Sequence, residues 1–304
     1  HECGADMIKF QCFVTDSFIA SGSSFLPVFR ENELSLEEFR EVRDHAEDVG
    51  ITMISTAADL DGLAMIVELD LPIIKVGSTN ITHVSLLRAI AATGKPVYLS
   101  TGASTMEEIR SAVEILQSRD SGDITLFHCT VQYPAEDDNL NLRSITSMRE
   151  EFPGLAIGFS DHSLGSVAAA AATALGATVF EKHFTLDNDM PGPDHGFSAN
   201  PEAFAEYVRT IRATERMLGS ANKGPTAAEE AVRLNGRRYL TARSDIAAGQ
   251  VIEAEMIRPR RIDASTVDPK TLLGPETEDR VVGEKAARPV ASGAAITADD
   301  IEFG

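Results

Sequence analysis

A (β/α)8-type barrel of the α/β class, followed by a small β-rich domain, is the fold this sequence predicts. Three observations carry the prediction. Short apolar runs recur through the first two-thirds of the chain, separated by segments of helical period. The runs are apolar throughout rather than alternating, the mark of strands buried on both faces of a parallel sheet, and their even spacing favours closure into a barrel. From about Arg238 the texture changes to short strands and glycine turns.

The elements follow in order. "HECGAD" reads as the last turn of a helix that runs directly into a first strand, "ADMIKFQCF". The later strands are "ITMIST", "IIKVGS", "PVYLST", "ITLFHCT", "LAIGFS" and "ATVFEKHF". That makes seven runs where a (β/α)8 barrel has eight strands. The expectation is that the first barrel strand is missing and that upstream residues supply it. Among the helices, "SLEEFREVRDHAEDVG" carries a capping box of Ser35 and Glu38 and stops at Gly50. "STMEEIRSAVEILQ" is expected to repeat the box with Ser104 and Glu107. The alanine-rich stretch from Val167 to Ala177 is a tightly packed helix, well short of the roughly 20 residues that span a bilayer. "TERMLGSANKGPTAAEEAVRLNGRRYL" reads as a last helix, a loop at Gly224 and Pro225, and a connecting segment. In the tail, "LTARSDIAAGQVIEAEMIRPRR" and "VVGEKAARPVASGAAITADDIE" resemble each other as two copies of a strand-and-turn unit. The expected division is a barrel at 1–222, a linker at 223–237 and a β-rich domain at 238–304.

The charge balance narrows the function. A net charge of −20 repels nucleic acid and anionic membranes, so neither is an expected partner. Any anion site must then be built locally from a few cations. Three cysteines without CxxC spacing argue against a disulfide framework. The first residues lack the basic end and long apolar middle of a signal peptide. A reducing cytoplasm is the default location.

Polar groups fall at the C-terminal ends of successive strand runs: Lys9 and Gln11, Thr56, Lys75 and Ser78, Ser100 and Thr101, His128 and Tyr133, Ser160 and His162, Lys182 and His183. In a barrel these ends converge on the face where active sites sit. Any single one is ordinary strand-end capping; the whole series is hard to explain by structure alone.

The motifs "KFQ", "KVGS", "YLSTG", "HCT..YP", "FSDHS", "EKHF" and "PGPDH" stand in an order and spacing that resemble the sialic acid synthase family. The tail resembles the antifreeze-like (SAF, β-clip) domain of the same enzymes. The resemblance implies a TIM barrel and an enzyme that condenses phosphoenolpyruvate with an N-acetylated amino-sugar aldehyde, such as N-acetylmannosamine. The product would be a nine-carbon 2-keto-3-deoxy sugar acid, released with phosphate. By the same resemblance His162 and His183 bind a divalent metal, Mn²⁺ first among several possible ions. Imidazole suits such ions, and two protein ligands leave positions for water and substrate. Lys9 and Lys75 would hold the anionic ends of phosphoenolpyruvate, with Gln11, Thr56, Ser78, Ser100 and Ser160 completing the cradle. Tyr133 and Asp194 would contact the sugar. Arg260, in "MIRPRRID", would reach the partner subunit's sugar site in a domain-swapped homodimer.

Two positions depart from the family pattern. Thr79 and Asn80 follow "KVGS" where a glycine and an acidic residue are usual, and Val131 stands at a usually polar place. Asn80 cannot act as a carboxylate acid or base, so it is assigned to the sugar side of the site. Two other functions stay open: a metal-dependent barrel hydrolase, and a sugar-binding or regulatory relative without turnover. The sequence contains no HxH pair of the kind such hydrolases use.

Overall fold

The computed structural model describes residues 1–118 and 122–304. It separates into two compact units, His1–Gly219 and Ser220–Gly304.

The first unit holds the seven expected strands: β1 Met7–Cys12, β2 Thr52–Ala57, β3 Ile74–Val76, β4 Val97–Ser100, β5 Ile124–Cys129, β6 Ala156–Asp161 and β7 Val179–Lys182. They form one parallel sheet in chain order. Its edge strands are β1 and β7, yet Lys9 of β1 and Glu181 of β7 meet at 2.9 Å. The sheet therefore curls until side chains of its two edges touch inside it, which is the curvature of a barrel wall. Helices follow the strands, and the buried apolar core runs between the two layers, with Ile74, Val76, Leu99, Leu126 and Ile66 among its members. Gly158 in β6 shows how tightly the interior packs. A Cβ there would lie 2.8 Å from the Phe127 ring and 2.7 Å from the Val179 carbonyl oxygen.

Local chemistry sets the helix ends. Ser35 and Glu38 form the expected capping box on helix Leu36–Asp48, and Gly50 adopts φ +76° beyond its end. The second box is formed by Thr105 and Glu108 on helix Met106–Gln117, one residue later than Ser104 and Glu107. Both registers put a hydroxyl three residues before a glutamate. The deciding factor is burial, since this register turns Ile109, Ala112, Val113 and Leu116 into the core. "HECGAD" is a turn, closed by Gly4 N–H on the His1 carbonyl at 2.8 Å, rather than a helical end. The alanine-rich helix Val167–Leu175 stops at Gly176, φ +99°. Among the described residues, no helix is long and apolar enough to cross a membrane.

The second unit opens with helix Ala227–Gly236, which lies within the segment expected as a linker. Thr226 and Glu229 box its N-terminus, a signal hidden by the neighbouring Gly224 and Pro225. Strands β8 Tyr239–Ala242 and β9 Ile257–Arg260 pair antiparallel, as do β10 Lys285–Ala286 and β11 Ile301–Glu302. Each pair falls in one copy of the sequence repeat. They enclose a small core of Leu240, Ile246, Ile252, Ile257, Val281 and Ile296.

Candidate active site

The C-terminal ends of the seven parallel strands carry a polar interior. Lys75 of β3 is fully buried. Its ammonium donates to Ser100 Oγ of β4, lies 5.1 Å over the Phe127 ring and stands 3.7 Å from Glu181. Glu181 also pairs with Lys9 and accepts a 2.7 Å hydrogen bond from Ser160 Oγ. One carboxylate thus bridges two lysines from strands β1 and β3. Burial alone would raise the Glu181 carboxyl, but the ammoniums of Lys75 and Lys9, with Ser160, hold it well below the usual carboxylate range. Burial pushes Lys75 down to about 8; Glu181 opposes that shift and Lys9 adds to it. Ladder register continues the cradle: Gln11 is level with Thr56, and Thr56 with Lys75. Ser78 Oγ accepts from the Gly102 N–H at 3.0 Å.

The histidine pair sits one step further along the same strands. Ser160 and His162 are two residues apart, as are Glu181 and His183. In extended chain that spacing puts each pair on one face, roughly 7 Å apart along the strand. The His162 and His183 rings meet edge to face, with centroids 5.3 Å apart. His162 Nδ1 lies 2.7 Å from the Thr130 carbonyl. That contact places the proton on Nδ1 and leaves the Nε2 lone pair for a ligand. His183 Nδ1 stands 3.6 Å from Asp194. Burial lowers both imidazoles, His183 to about 4 with His162 contributing, so both are neutral at pH 7. Tyr133 packs on His162 at 4.2 Å and Phe197 on His183 at 5.2 Å, walling the pair. Burial pushes the Tyr133 phenol up to about 12, so it stays protonated and neutral.

Two neutral imidazoles side by side, one of them with its Nε2 left free by the Thr130 contact, suit a divalent metal. Among the described residues, no group of three or more His, Cys, Asp and Glu is placed to hold one. The remaining positions on a metal held by this pair would belong to water and substrate.

Not every expected residue points into this centre. Thr101 Oγ1 donates to the Phe127 carbonyl at 2.9 Å. His128 bonds the Leu140 carbonyl at 2.7 Å and stacks on Phe159, a core histidine. The Asn80 amide donates to the Ala57 and Ala58 carbonyls, tying the loop after β3 to the end of β2. Arg260 ends β9 in the second unit, exposed, beside a groove of about 750 Å³ that Arg261 and Arg288 also line. The sequence reading missed Glu181. Its position two residues before His183, inside an apolar strand, was the available signal.

Comparison with known proteins agrees with this architecture. The NeuB family matches residues 1–223 and the SAF domain matches residues 237–302. The chain is 43% identical to the uncharacterised protein MJ1065 of Methanocaldococcus jannaschii, over 86% of this chain and 77% of that one. It is 31% identical to the N,N'-diacetyllegionaminic acid synthase of Legionella pneumophila, over 99% of this chain and 87% of that one. The crystal structure of N-acetylneuraminic acid synthetase from Leptospira borgpetersenii, in complex with citrate, superposes with a TM-score of 0.72 at 30% identity, covering 76% of this chain and 80% of that one. With both matches in chain order and the strand ends arranged as described, the chain belongs to the NeuB family and carries a C-terminal SAF domain.

Proposed function

We propose that this protein is a synthase that joins phosphoenolpyruvate to an N-acetylated amino-sugar aldehyde, forming a 2-keto-3-deoxy sugar acid and phosphate. The observation that carries the reading is the two-level strand end: a two-lysine cradle directly beside a neutral histidine pair. Relatives named as legionaminic and N-acetylneuraminate synthases support the acceptor class.

The residues divide the work. Lys9 and Lys75 attract the carboxylate and phosphate of the donor, in a protein whose overall charge opposes anions. Gln11, Thr56, Ser78, Ser100 and Ser160 supply further hydrogen bonds to it. His162 and His183 would hold a divalent ion such as Mn²⁺, which polarises the sugar aldehyde when bound. Tyr133 offers the sugar a flat apolar wall, and Asp194 an acceptor for its hydroxyls. Donor C3 then bonds to the aldehyde carbon, water adds at C2, and the C2–O bond breaks to release phosphate. The protein contributes alignment and fixed charge rather than a covalent step. In the same reading Arg260 completes the partner subunit's sugar site in a domain-swapped homodimer. Its forked guanidinium suits hydroxyl and carbonyl oxygens.

Mass spectrometry of reactions with phosphoenolpyruvate, Mn²⁺ and a panel of amino-sugars should show one acceptor gaining the three carbons of pyruvate, with phosphate released in equal amount. Phosphate release that needs no sugar would instead mark a hydrolase. A second expectation concerns pH. Lys75 must be charged to bind the donor, and its ammonium is lost above about pH 8. The KM for phosphoenolpyruvate should therefore be flat between about pH 7 and 8, where the donor phosphate is fully ionised. Above that it should rise by up to roughly tenfold per pH unit. A KM that stays level to pH 9.5 would show that Lys75 does not carry donor affinity.

A further inference from the structure

Directly beside each histidine lies a residue that the proposed chemistry leaves unused. Asp161 precedes His162 and Lys182 precedes His183. The two are partners in the β6–β7 ladder register, and Lys182 Nζ stands 3.1 Å from Asp161 Oδ2. Their side chains are 0% and 5% exposed for Asp161 and Lys182. Asp161 Oδ1 accepts from Ser163 N–H at 2.8 Å and from Ser163 Oγ at 2.6 Å. The Lys182 ammonium donates to the Ser163 carbonyl. The ammonium also lies 5.1 Å over the ring of Tyr207, from helix Pro201–Leu218, and the Tyr207 hydroxyl is buried. Strand alternation turns this cluster away from the face that carries the histidines. Its partners given above, Ser163 and Tyr207, are not among the groups assigned to donor or sugar.

A buried ion pair is a poor source of stability, because desolvation offsets most of the attraction, but it is strict about geometry. Here it spans the two strands at the last ladder rung before the imidazoles. One further bond pins each histidine's main chain: Ala135 N–H to the His162 carbonyl at 2.9 Å, and Ala199 N–H to the His183 carbonyl at 2.8 Å. The Asp161–Lys182 bridge thus joins the two strands directly before the residues that carry the rings.

We propose that Asp161 and Lys182 are positioning residues: their buried bridge, closed by Ser163, sets the His162–His183 spacing and so the affinity for a divalent metal. This rests on the reading of the histidine pair as the metal site. Outer partners that orient metal ligands typically change affinity by about 10–100-fold when mutated.

The test is a Mn²⁺ titration of the full chain, followed by electron paramagnetic resonance, alongside thermal melting. The double variant Asp161→Leu/Lys182→Met exchanges the pair for apolar side chains. It should melt within a few degrees of the wild type while its Mn²⁺ Kd rises about 10–100-fold. At saturating Mn²⁺ its kcat should recover much of the wild-type value, a split that a general loss of structure would not produce. Asp161→Asn, which keeps the shape and removes the charge, should shift the Kd in the same direction. A folded variant with wild-type Mn²⁺ affinity overturns the proposal. So does the failure of both variants to fold, which would make the pair a folding element. If the wild type and His183→Ala bind Mn²⁺ equally, the metal reading itself fails and this inference falls with it.

Discussion

His183→Ala is expected to lower metal-dependent turnover by on the order of 10³-fold and to leave the fold intact. A Lewis acid at the aldehyde is worth several kcal/mol of transition-state stabilisation, and each 1.36 kcal/mol is tenfold in rate. The fold should survive because His183 does little structural work. Its closest polar side-chain contact among the described residues is Asp194 at 3.6 Å, beyond hydrogen-bond reach, and its side chain is 26% exposed. His128 provides the contrast. It is buried and bonds a backbone carbonyl at 2.7 Å, so His128→Ala should cost about 1–3 kcal/mol of stability with Mn²⁺ affinity unchanged. Circular dichroism melts and Mn²⁺ titrations on both variants separate the two roles. A stable His183→Ala protein with full activity would remove the histidine pair from the mechanism.

That contrast also marks how far the sequence could be read. The seven strands were legible because their apolar runs are continuous, and the candidate face was legible because polar residues end those runs. Which strand-end residue faces the centre was not. His128 and His162 both look like strand-end histidines, yet one bonds Leu140 and packs on Phe159 while the other meets His183. The difference depends on which face of the strand each residue occupies and on what the next helix or loop brings to it, and both are tertiary facts. Nor was the backbone engagement of Asn80 legible: its amide donates to the carbonyls of Ala57 and Ala58 in a neighbouring strand end. Glu181 and Asp161 were hidden differently, while Lys182, expected at the converging strand ends with His183, is paired with Asp161 instead. In a chain with 47 acidic residues a charge reads as surface until the structure shows it buried against a partner. Helix Ala227–Gly236 was masked by adjacent turn residues, which outweighed its capping box.

Glu181→Gln is the second large effect, and its sign depends on ligand and pH. The Glu181 carboxylate lies 2.9 Å from Lys9 and 3.7 Å from Lys75. Removing it leaves two ammoniums inside the barrel mouth. Breaking a buried pair in this way costs about 3–5 kcal/mol. The lower end applies here, because Lys9 is 25% exposed and water can share its charge. That is still a large part of a typical stability of about 5–15 kcal/mol. Lys75 already titrates low, and losing the carboxylate lowers it further. A lysine whose folded pKa lies below its unfolded value destabilises the fold most at pH values under the folded pKa. The penalty shrinks as pH rises toward the unfolded value near 10.4. The variant should therefore melt well below the wild type at pH 7 and approach it by pH 9. A bound anion should do what the carboxylate did. Phosphoenolpyruvate at pH 7 should raise the melting temperature of Glu181→Gln by more than it raises that of the wild type, because it arrives at two uncompensated cations rather than displacing an internal partner. Equal melting temperatures at pH 7 would show that Glu181 does not hold the lysines in solution. Equal ligand shifts in the two proteins would show that the donor anion binds elsewhere.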